Sequence, residues 1–196
     1  CVLSKQTHTT NIRIVTESDA GKGIICERDF DDTDGLITDV PGITLVTQFA
    51  DCTGLLFCDP KKRVIAASHA GWRGTAGEIG RLTVEKMHDS FGCDPGDIRA
   101  GIAPSIGPCC FEVDQPVIDQ FEKIKSYDVS KVIKDEGNGK YHVDLWKANC
   151  LSLLSAGLRE ENISVTDICT KCNSDVFFSH RVTGFDRGNL AALICL

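Results

Sequence analysis

Three side chains that commonly bind transition metals lie at the ends of predicted strands. His8 and Cys52 each come a few residues before an apolar, β-branched run, and His69 directly follows one. Side chains at strand ends can converge on one edge of a sheet, and two imidazoles with one thiolate and an open fourth position are typical of a catalytic zinc. The same residues are also consistent with a hydrogen-bonded histidine and a core cysteine. Both interpretations remain open at this point.

A glycine-rich turn follows His69 and contains Gly71, Arg73 and Gly74. Free backbone amides at the start of a predicted helix favour an anion, and glycine allows a ligand to approach closely. The guanidinium of Arg73 is a planar, permanent cation suited to phosphate. We therefore predict an anion-binding turn beside the metal ligands. The alternative is a tight strand-to-helix turn with a solvated arginine.

Periodicity in the sequence predicts the elements that must position these residues. Short apolar runs bounded by Gly, Pro or Asp predict strands at Ile12–Thr16, Leu36–Thr38, Thr44–Gln48, Leu55–Asp59, Val64–Ser68, Ile98–Ile102, His142–Leu145, Ile163–Ile168, Val176–His180 and Leu190–Cys195. Helical spacing predicts helices after Gly74, at Gln115–Ile124 and at Leu145–Leu158. The first helix would begin at a capping box of Thr75 and Glu78 and end at Gly92. This order predicts a single α+β (or layered α/β) domain with mixed sheets flanked by about three or more helices.

Composition excludes several classes of protein. The 196 residues are 42% hydrophobic and 25% charged, as in an ordinary globular domain. The formal net charge of −7 argues against a nucleic-acid partner, and no apolar run is long enough for a membrane span. Eleven cysteines, an odd number with several in apolar runs, predict reduced thiols and a cytoplasmic location.

Two further cysteine motifs occur in the second half of the chain. Cys109 and Cys110 are adjacent, and we expect Cys110 to line a pocket together with Glu112, a candidate for proton transfer. Cys169 and Cys172 form a CxxC motif. Because neither a second CxxC nor a histidine pair at zinc-finger spacing accompanies this motif, the sequence does not predict a structural zinc there.

Six motifs occur along the chain in a fixed order. They are Gln6-Thr7-His8, Asp34-Gly35-Leu36-Ile37-Thr38, Ala50-Asp51-Cys52, His69-Ala70-Gly71-Trp72-Arg73-Gly74, Gly107-Pro108-Cys109-Cys110-Phe111-Glu112 and Phe177-Phe178-Ser179-His180-Arg181. Together they resemble the laccase-domain family, also called the YfiH/YlmD or polyphenol oxidase family. This resemblance implies that His8, Cys52 and His69 bind zinc, with copper as an alternative. The family's N-terminal segment, with its Arg-Gly-Gly turn, does not occur in the sequence, so we expect residues 1–196 to form one N-terminally truncated domain of this type.

The resemblance also implies a function. It implies a zinc-dependent purine nucleoside phosphorylase that cleaves adenosine, inosine and methylthioadenosine with phosphate and also deaminates adenosine. The catalytic residues would be the three ligands and Arg73. Substrate contacts are expected from Asp51, Gly71, Gly74, Cys110, Glu112, Ser179, His180 and Arg181. The sequence carries no signal for an oligomeric state.

Three alternative functions remain at this stage. A copper-dependent polyphenol oxidase would use the same ligands, although five dispersed histidines are too few for a multicopper cluster. A thiol hydrolase would use Cys52 as nucleophile and His69 as base. A non-catalytic binding domain would use the metal only to stabilise its fold, and a fourth protein ligand would indicate this alternative.

Overall fold

The structure is a computed structural model that describes residues 1–196. Its strands, in chain order, are β1 (Val2–Leu3), β2 (Ile12–Ile14), β3 (Gly35–Thr38), β4 (Thr44–Phe49), β5 (Thr53–Asp59), β6 (Val64–Ala70), β7 (Arg99–Ile102), β8 (Glu112–Asp114), β9 (Ile133–Gly137), β10 (Lys140–Val143), β11 (Ile163–Val165) and β12 (Leu190–Cys195). The helices are α1 (Trp72–Ala76), α2 (Ile79–Phe91), α3 (Gln115–Phe121), α4 (Leu145–Ser155) and α5 (His180–Thr183). None of these helices has the length and apolar character needed to span a membrane.

A six-stranded mixed sheet in the order β11-β7-β5-β6-β3-β2 forms the centre of the molecule. Parallel pairs at each end, β11 with β7 and β2 with β3, flank antiparallel strands. Two three-stranded sheets accompany it, in the orders β1-β4-β12 and β8-β10-β9. The predicted α+β class with mixed sheets and flanking helices is confirmed.

Both faces of the central sheet are buried. Along β6, Ala66 belongs to the large apolar core that includes α2 and α4, whereas Ile65 and Ala67 belong to a smaller core shared with β1 and β4. Successive side chains of a strand point to opposite faces, and a strand covered on both faces has a nearly continuous apolar sequence. This explains why the run Val64–Ser68 predicted its strand well.

Two sequence predictions about local structure are wrong. Thr75 does not cap a helix, because α1 begins one turn earlier with Gly71 as its N-cap, and Glu78 has a left-handed backbone conformation between α1 and α2. Residues 176–180 do not form a strand. The backbone N–H groups of Val176 and Phe177 donate to the carbonyl of Asn173, which produces consecutive turns before α5.

Candidate metal centre and cavity

The structure brings His8, Cys52 and His69 together. Their ligand atoms lie within 4.8 Å of one another, and His8 Nε2 is 3.8 Å from Cys52 Sγ. The two imidazole rings meet edge to face, with centroids 4.9 Å apart. His69 is the last residue but one of β6 and is buried, whereas Cys52 lies just before β5 and His8 in an exposed loop before β2. Three segments distant in sequence therefore form one group able to hold a metal ion.

A buried carboxylate, Asp34, positions two of the three candidate ligands. Its Oδ1 atom lies 2.8 Å from His69 Nδ1 and accepts the backbone N–H of His8 at 3.1 Å. Its Oδ2 atom accepts the backbone N–H groups of Thr7 and Thr9. The carboxylate fixes the His69 ring with Nδ1 towards Asp34, which leaves Nε2 for a metal. It also holds His8 at a φ of 65°, a left-handed conformation uncommon outside glycine.

Hydrogen bonds to the histidines favour the ionised form of Cys52. Burial opposes ionisation of this thiol, but hydrogen bonds with His69 and His8 outweigh burial and lower the pKa of Cys52 to about 6. Burial also disfavours the imidazolium of His69, yet Asp34 and Cys52 raise the pKa of His69 to about 9. A thiolate is the form of cysteine that binds metals. Binding of a metal cation to this group would therefore release the proton of the His69 imidazolium.

Gly71 leaves room for the group. A Cβ atom at this position would lie 2.7 Å from His8 Cδ2 and 3.0 Å from Cys52 Sγ. Backbone conformation does not require glycine here, because φ is −62°. The close approach of the two ligands therefore explains this glycine.

A cavity of about 610 Å³ opens from His8 and Cys52. This volume is in the usual range for small-molecule sites. Its apolar wall includes Ile106, Phe111, Val113, Val117, Leu145 and Phe185. The cavity is also lined by charged side chains of both signs, the arginines Arg73, Arg181 and Arg187 and the carboxylates Asp51, Glu112 and Asp114.

Most of the predicted site residues lie around this cavity. Asp51, Arg73, Glu112, His180 and Arg181 line it together with His8 and Cys52. The predicted residues that do not line it are His69, Gly71, Gly74, Cys110 and Ser179. His69 instead lines a smaller adjoining pocket, together with His8 and Cys52.

Asp51 is a hydrogen-bond centre for the C-terminal part of the cavity. Its carboxylate accepts the hydroxyl of Thr170 at 2.6 Å, the hydroxyl of Ser179 at 3.1 Å and the backbone N–H of Arg181 at 2.6 Å. Both oxygen atoms of Asp51 thus accept hydrogen bonds from the protein itself. Asp51 and Ser179 therefore connect the ligand loop to α5.

Sequence reasoning did not identify several residues of the site. No role beyond its place in a motif was assigned to Asp34 from the sequence. An aspartate just before a strand that pairs with the strand of a candidate histidine ligand is nevertheless a signal for a carboxylate that orients the ligand. Phe185 and Arg187 lie in a segment without periodicity, and their role depends on how the chain folds after α5.

Comparison with known proteins gives the same family as the six sequence motifs. All of residues 1–196 match the family model described as multi-copper polyphenol oxidoreductase laccase. The chain belongs to this family. A curated relative from Geobacillus stearothermophilus, named purine nucleoside phosphorylase YlmD, is 38% identical over 197 residues, covering 98% of this chain and 71% of the relative.

Two other known proteins are similar over nearly the whole chain. Adenosine deaminase RL5, from an unknown prokaryotic organism, is 34% identical over 188 residues, which are 95% of this chain and 71% of that protein. The crystal structure of the Bacillus licheniformis protein YfiH superposes with a TM-score of 0.95 at 36% identity, covering 100% of this chain and 73% of that one.

Proposed function

We propose that this chain is a zinc-dependent enzyme that cleaves adenosine, inosine and methylthioadenosine with phosphate and also deaminates adenosine. One observation carries the proposal. The His8–Cys52–His69 group lies at the edge of a cavity that has an apolar wall and several arginines. The names of two relatives, a purine nucleoside phosphorylase and an adenosine deaminase, support the class of substrate.

The three proposed ligands fit zinc. Tetrahedral zinc with usual bond lengths would separate a thiolate sulfur from an imidazole nitrogen by ~3.6 Å, and His8 Nε2 lies 3.8 Å from Cys52 Sγ. Asp34 supplies the carboxylate that commonly orients a zinc-binding histidine. When bound, the metal would supply a Lewis acid able to polarise a substrate oxygen or to lower the pKa of water.

Phosphate would bind through the arginines. In phosphorolysis, a phosphate oxygen forms a bond to the anomeric carbon of the ribose, and the bond from that carbon to the purine nitrogen breaks. The purine leaves with the bonding electron pair and needs a proton. The guanidinium groups of Arg73 and Arg181 each offer a planar fork of N–H donors that matches the oxygens of phosphate. We assign to them the binding of the anion beside the reacting carbon.

The apolar wall would hold the purine. Phe111 and Phe185 offer aromatic surfaces in the cavity, and aromatic side chains stack well on nucleobases. Glu112 lines the cavity next to Phe111, with its carboxylate 4.0 Å from His142 Nε2. We assign to Glu112 the transfer of a proton to the departing purine, and to His180 a contact with the substrate. In deamination, water replaces the amino group of adenosine, and ammonia leaves.

The other predicted site residues receive indirect roles. Asp51 and Ser179 position α5, and Gly71 leaves space for the ligands. Gly74 is buried, and a Cβ atom there would lie 3.3 Å from the carbonyl oxygen of His69, which makes its role one of packing. Cys110 lies in a separate cysteine cluster. We also propose a cytoplasmic location, which eleven unpaired cysteines support.

Copper-dependent oxidation of phenols is the second candidate, because the family description names it. The positions of His88 and His142 argue against a copper cluster. His88 and His142 bond to the backbone carbonyls of Cys93 and Pro108. Met87, which would be the axial ligand of a single copper site, is fully buried in the main core.

The deciding experiment measures bound metal and then base release from inosine and adenosine, with and without phosphate. We expect phosphate-dependent release by the wild type and a loss of at least ~100-fold in His8→Ala, which removes a ligand. His88→Ala, a histidine outside the cavity, is the matched control. Ammonia release from adenosine without phosphate reports deamination.

Each alternative gives a different result in the same assays. Equal activity of wild type and His8→Ala would contradict the zinc proposal. Phenol oxidation only after copper loading would indicate the oxidase. Activity of the metal-free protein that requires Cys52 would indicate a thiol hydrolase, and bound zinc without turnover would indicate a binding domain.

A further inference from the structure

Four cysteine thiols converge outside the cavity. The Sγ atoms of Cys109, Cys110, Cys169 and Cys172 all lie within 4.8 Å of one another. Cys172 Sγ is 3.6 Å from Cys109 Sγ and 3.4 Å from Cys110 Sγ. A tetrahedral zinc ion bound to four thiolates would separate the sulfur atoms by ~3.8 Å. The cluster therefore has the dimensions of a four-cysteine zinc site.

The structure places a second pair of cysteines beside the CxxC motif. The CxxC motif of Cys169 and Cys172 has no second CxxC motif, but the adjacent pair Cys109–Cys110 lies beside it in space. Cys169 is buried, and its sulfur accepts the backbone N–H of Gly107 at 3.2 Å. Such a bond stabilises a thiolate more than a thiol, because hydrogen bonds to charged acceptors are stronger.

We propose that Cys109, Cys110, Cys169 and Cys172 bind one structural zinc ion, distinct from the metal at His8, Cys52 and His69. Four protein ligands leave no open coordination position, and closed sites of this type stabilise folds. The metal in this cluster would therefore have no direct part in the reaction.

The proposed ion would join the loop that supplies Phe111 to the cavity and the segment that leads into α5, whose His180 and Arg181 line the cavity. Cys109 and Cys110 directly precede Phe111 and β8. Cys169 and Cys172 lie in the turn-rich segment between β11 and α5, and an isolated bridge between Ser105 and Cys169 attaches that segment to the rest of the chain. Closing a long loop removes many conformations from the unfolded chain. The ion would therefore stabilise the cavity wall.

A disulfide explains the cluster less well than a metal does. Adjacent cysteines such as Cys109 and Cys110 form strained disulfides. A bond from Cys172 to either of them would leave the other two thiols of the cluster without a function. The convergence of four sulfur atoms, rather than two, favours the metal.

The test is the zinc content of the reduced protein after expression in zinc-supplemented medium, measured by inductively coupled plasma mass spectrometry. We expect two zinc ions per chain in the wild type. Cys172→Ser, Cys109→Ser and His8→Ala should each retain one. Cys195→Ser, which changes an exposed cysteine outside both groups, should retain two. These counts do not depend on activity, so they test this proposal separately from the proposed function.

Thiol labelling of the wild type provides a second readout that needs no variant. With zinc bound, the four cluster cysteines should resist alkylation, and a strong chelator should make them reactive, whereas Cys26 and Cys195 should react in both conditions. The midpoint of thermal unfolding of Cys172→Ser should fall by roughly 5–10 °C, as for the loss of a cross-link.

Two results would overturn the proposal. One is equal zinc content in the wild type and both cysteine variants, with equal labelling before and after chelation. The other is a disulfide from Cys172 to Cys109 or Cys110 in peptides of the freshly purified protein, with no zinc lost when these cysteines are replaced.

Discussion

The Asp34 carboxylate performs two tasks with its two oxygen atoms. It orients the ring of His69, and it accepts three successive backbone N–H groups around His8. Burial alone would raise the pKa of Asp34, but the hydrogen bonds with His69 and Thr9 keep its pKa below the usual value. Asp34 is thus a charged positioning residue for both imidazoles.

Asp34→Asn should weaken metal binding without unfolding the protein. The amide keeps only one accepting oxygen, places an NH2 group against donors that now bond to the carboxylate, and removes the negative charge behind His69; loss of such a partner typically lowers metal affinity by ~10–100-fold. Competition with a chromophoric chelator measures the affinity. Asp32→Asn is the matched control, because Asp32 is exposed and bonds to its neighbours only through its carbonyl. Unchanged affinity in Asp34→Asn would refute the role of the carboxylate.

Gly71→Ala tests the space at the ligand group. The added methyl would press on His8 and Cys52, so we expect metal affinity to fall by at least ~10-fold, on the scale of losing a supporting contact. Gly101→Ala is the control, because a Cβ atom there meets nothing within 4 Å. Equal metal affinity in the two variants would mean that the ligands move apart freely.

At the scale of elements, α5 is a helix of four residues that depends on its hydrogen bonds to Asp51. Four residues are too few for a stable isolated helix. The position of His180 and Arg181 in the cavity therefore depends on these tertiary hydrogen bonds.

Thr170→Val should loosen this attachment. It removes the hydroxyl that donates to Asp51 and leaves a buried acceptor with one fewer donor, which typically destabilises by ~1–3 kcal/mol. We expect KM for the nucleoside to rise several-fold while metal content stays unchanged. Thr166→Val, at an exposed position, is the control. A fall in metal content with unchanged KM would contradict this assignment.

The elements that the sequence predicts well are those whose burial follows directly from their own side chains. The β-branched runs of the central sheet and the stop of α2 at Gly92, whose φ is 66°, belong to this class. Residues 176–180 have the composition of a strand, but nothing local indicates the turn at Asn173 or the bonds of the following residues to Asp51. Cys110 and Cys172 are 62 positions apart, so only the tertiary fold reveals their contact.

At the scale of the whole molecule, stability in acid depends on a buried carboxylate that does not line the cavity. Asp19 accepts hydrogen bonds from Arg13, Lys22 and the backbone of Thr16. Burial raises the pKa of Asp19, but these three partners outweigh burial and hold it well below its ordinary value of 3.8. The native state therefore binds fewer protons here than the unfolded state does.

The sign of the pH effect follows from this shift. The contribution of Asp19 is fully present above the unfolded pKa and is lost as the pH falls below about 4 towards the lower folded pKa. Asp19→Asn should lower the free energy of unfolding by ~2–3 kcal/mol at pH 7 and reduce its dependence on pH in acid. Urea unfolding at several pH values measures both. Asp89→Asn, at an exposed position, should match the wild type, and a similar curve for Asp19→Asn would disprove the assignment.

We expect the ligands of the candidate centre to meet late in folding, because they come from chain segments that are distant in sequence. His8 precedes β2, His69 lies in β6 and Cys52 precedes β5, so all three ligands can hold one metal only after these strands have assembled with β3 into the central sheet. Interactions formed after the transition state act mainly on the unfolding rate. A bound ion should therefore leave the refolding rate nearly constant and slow the escape from the native state, so that metal determines how long each folded molecule lasts.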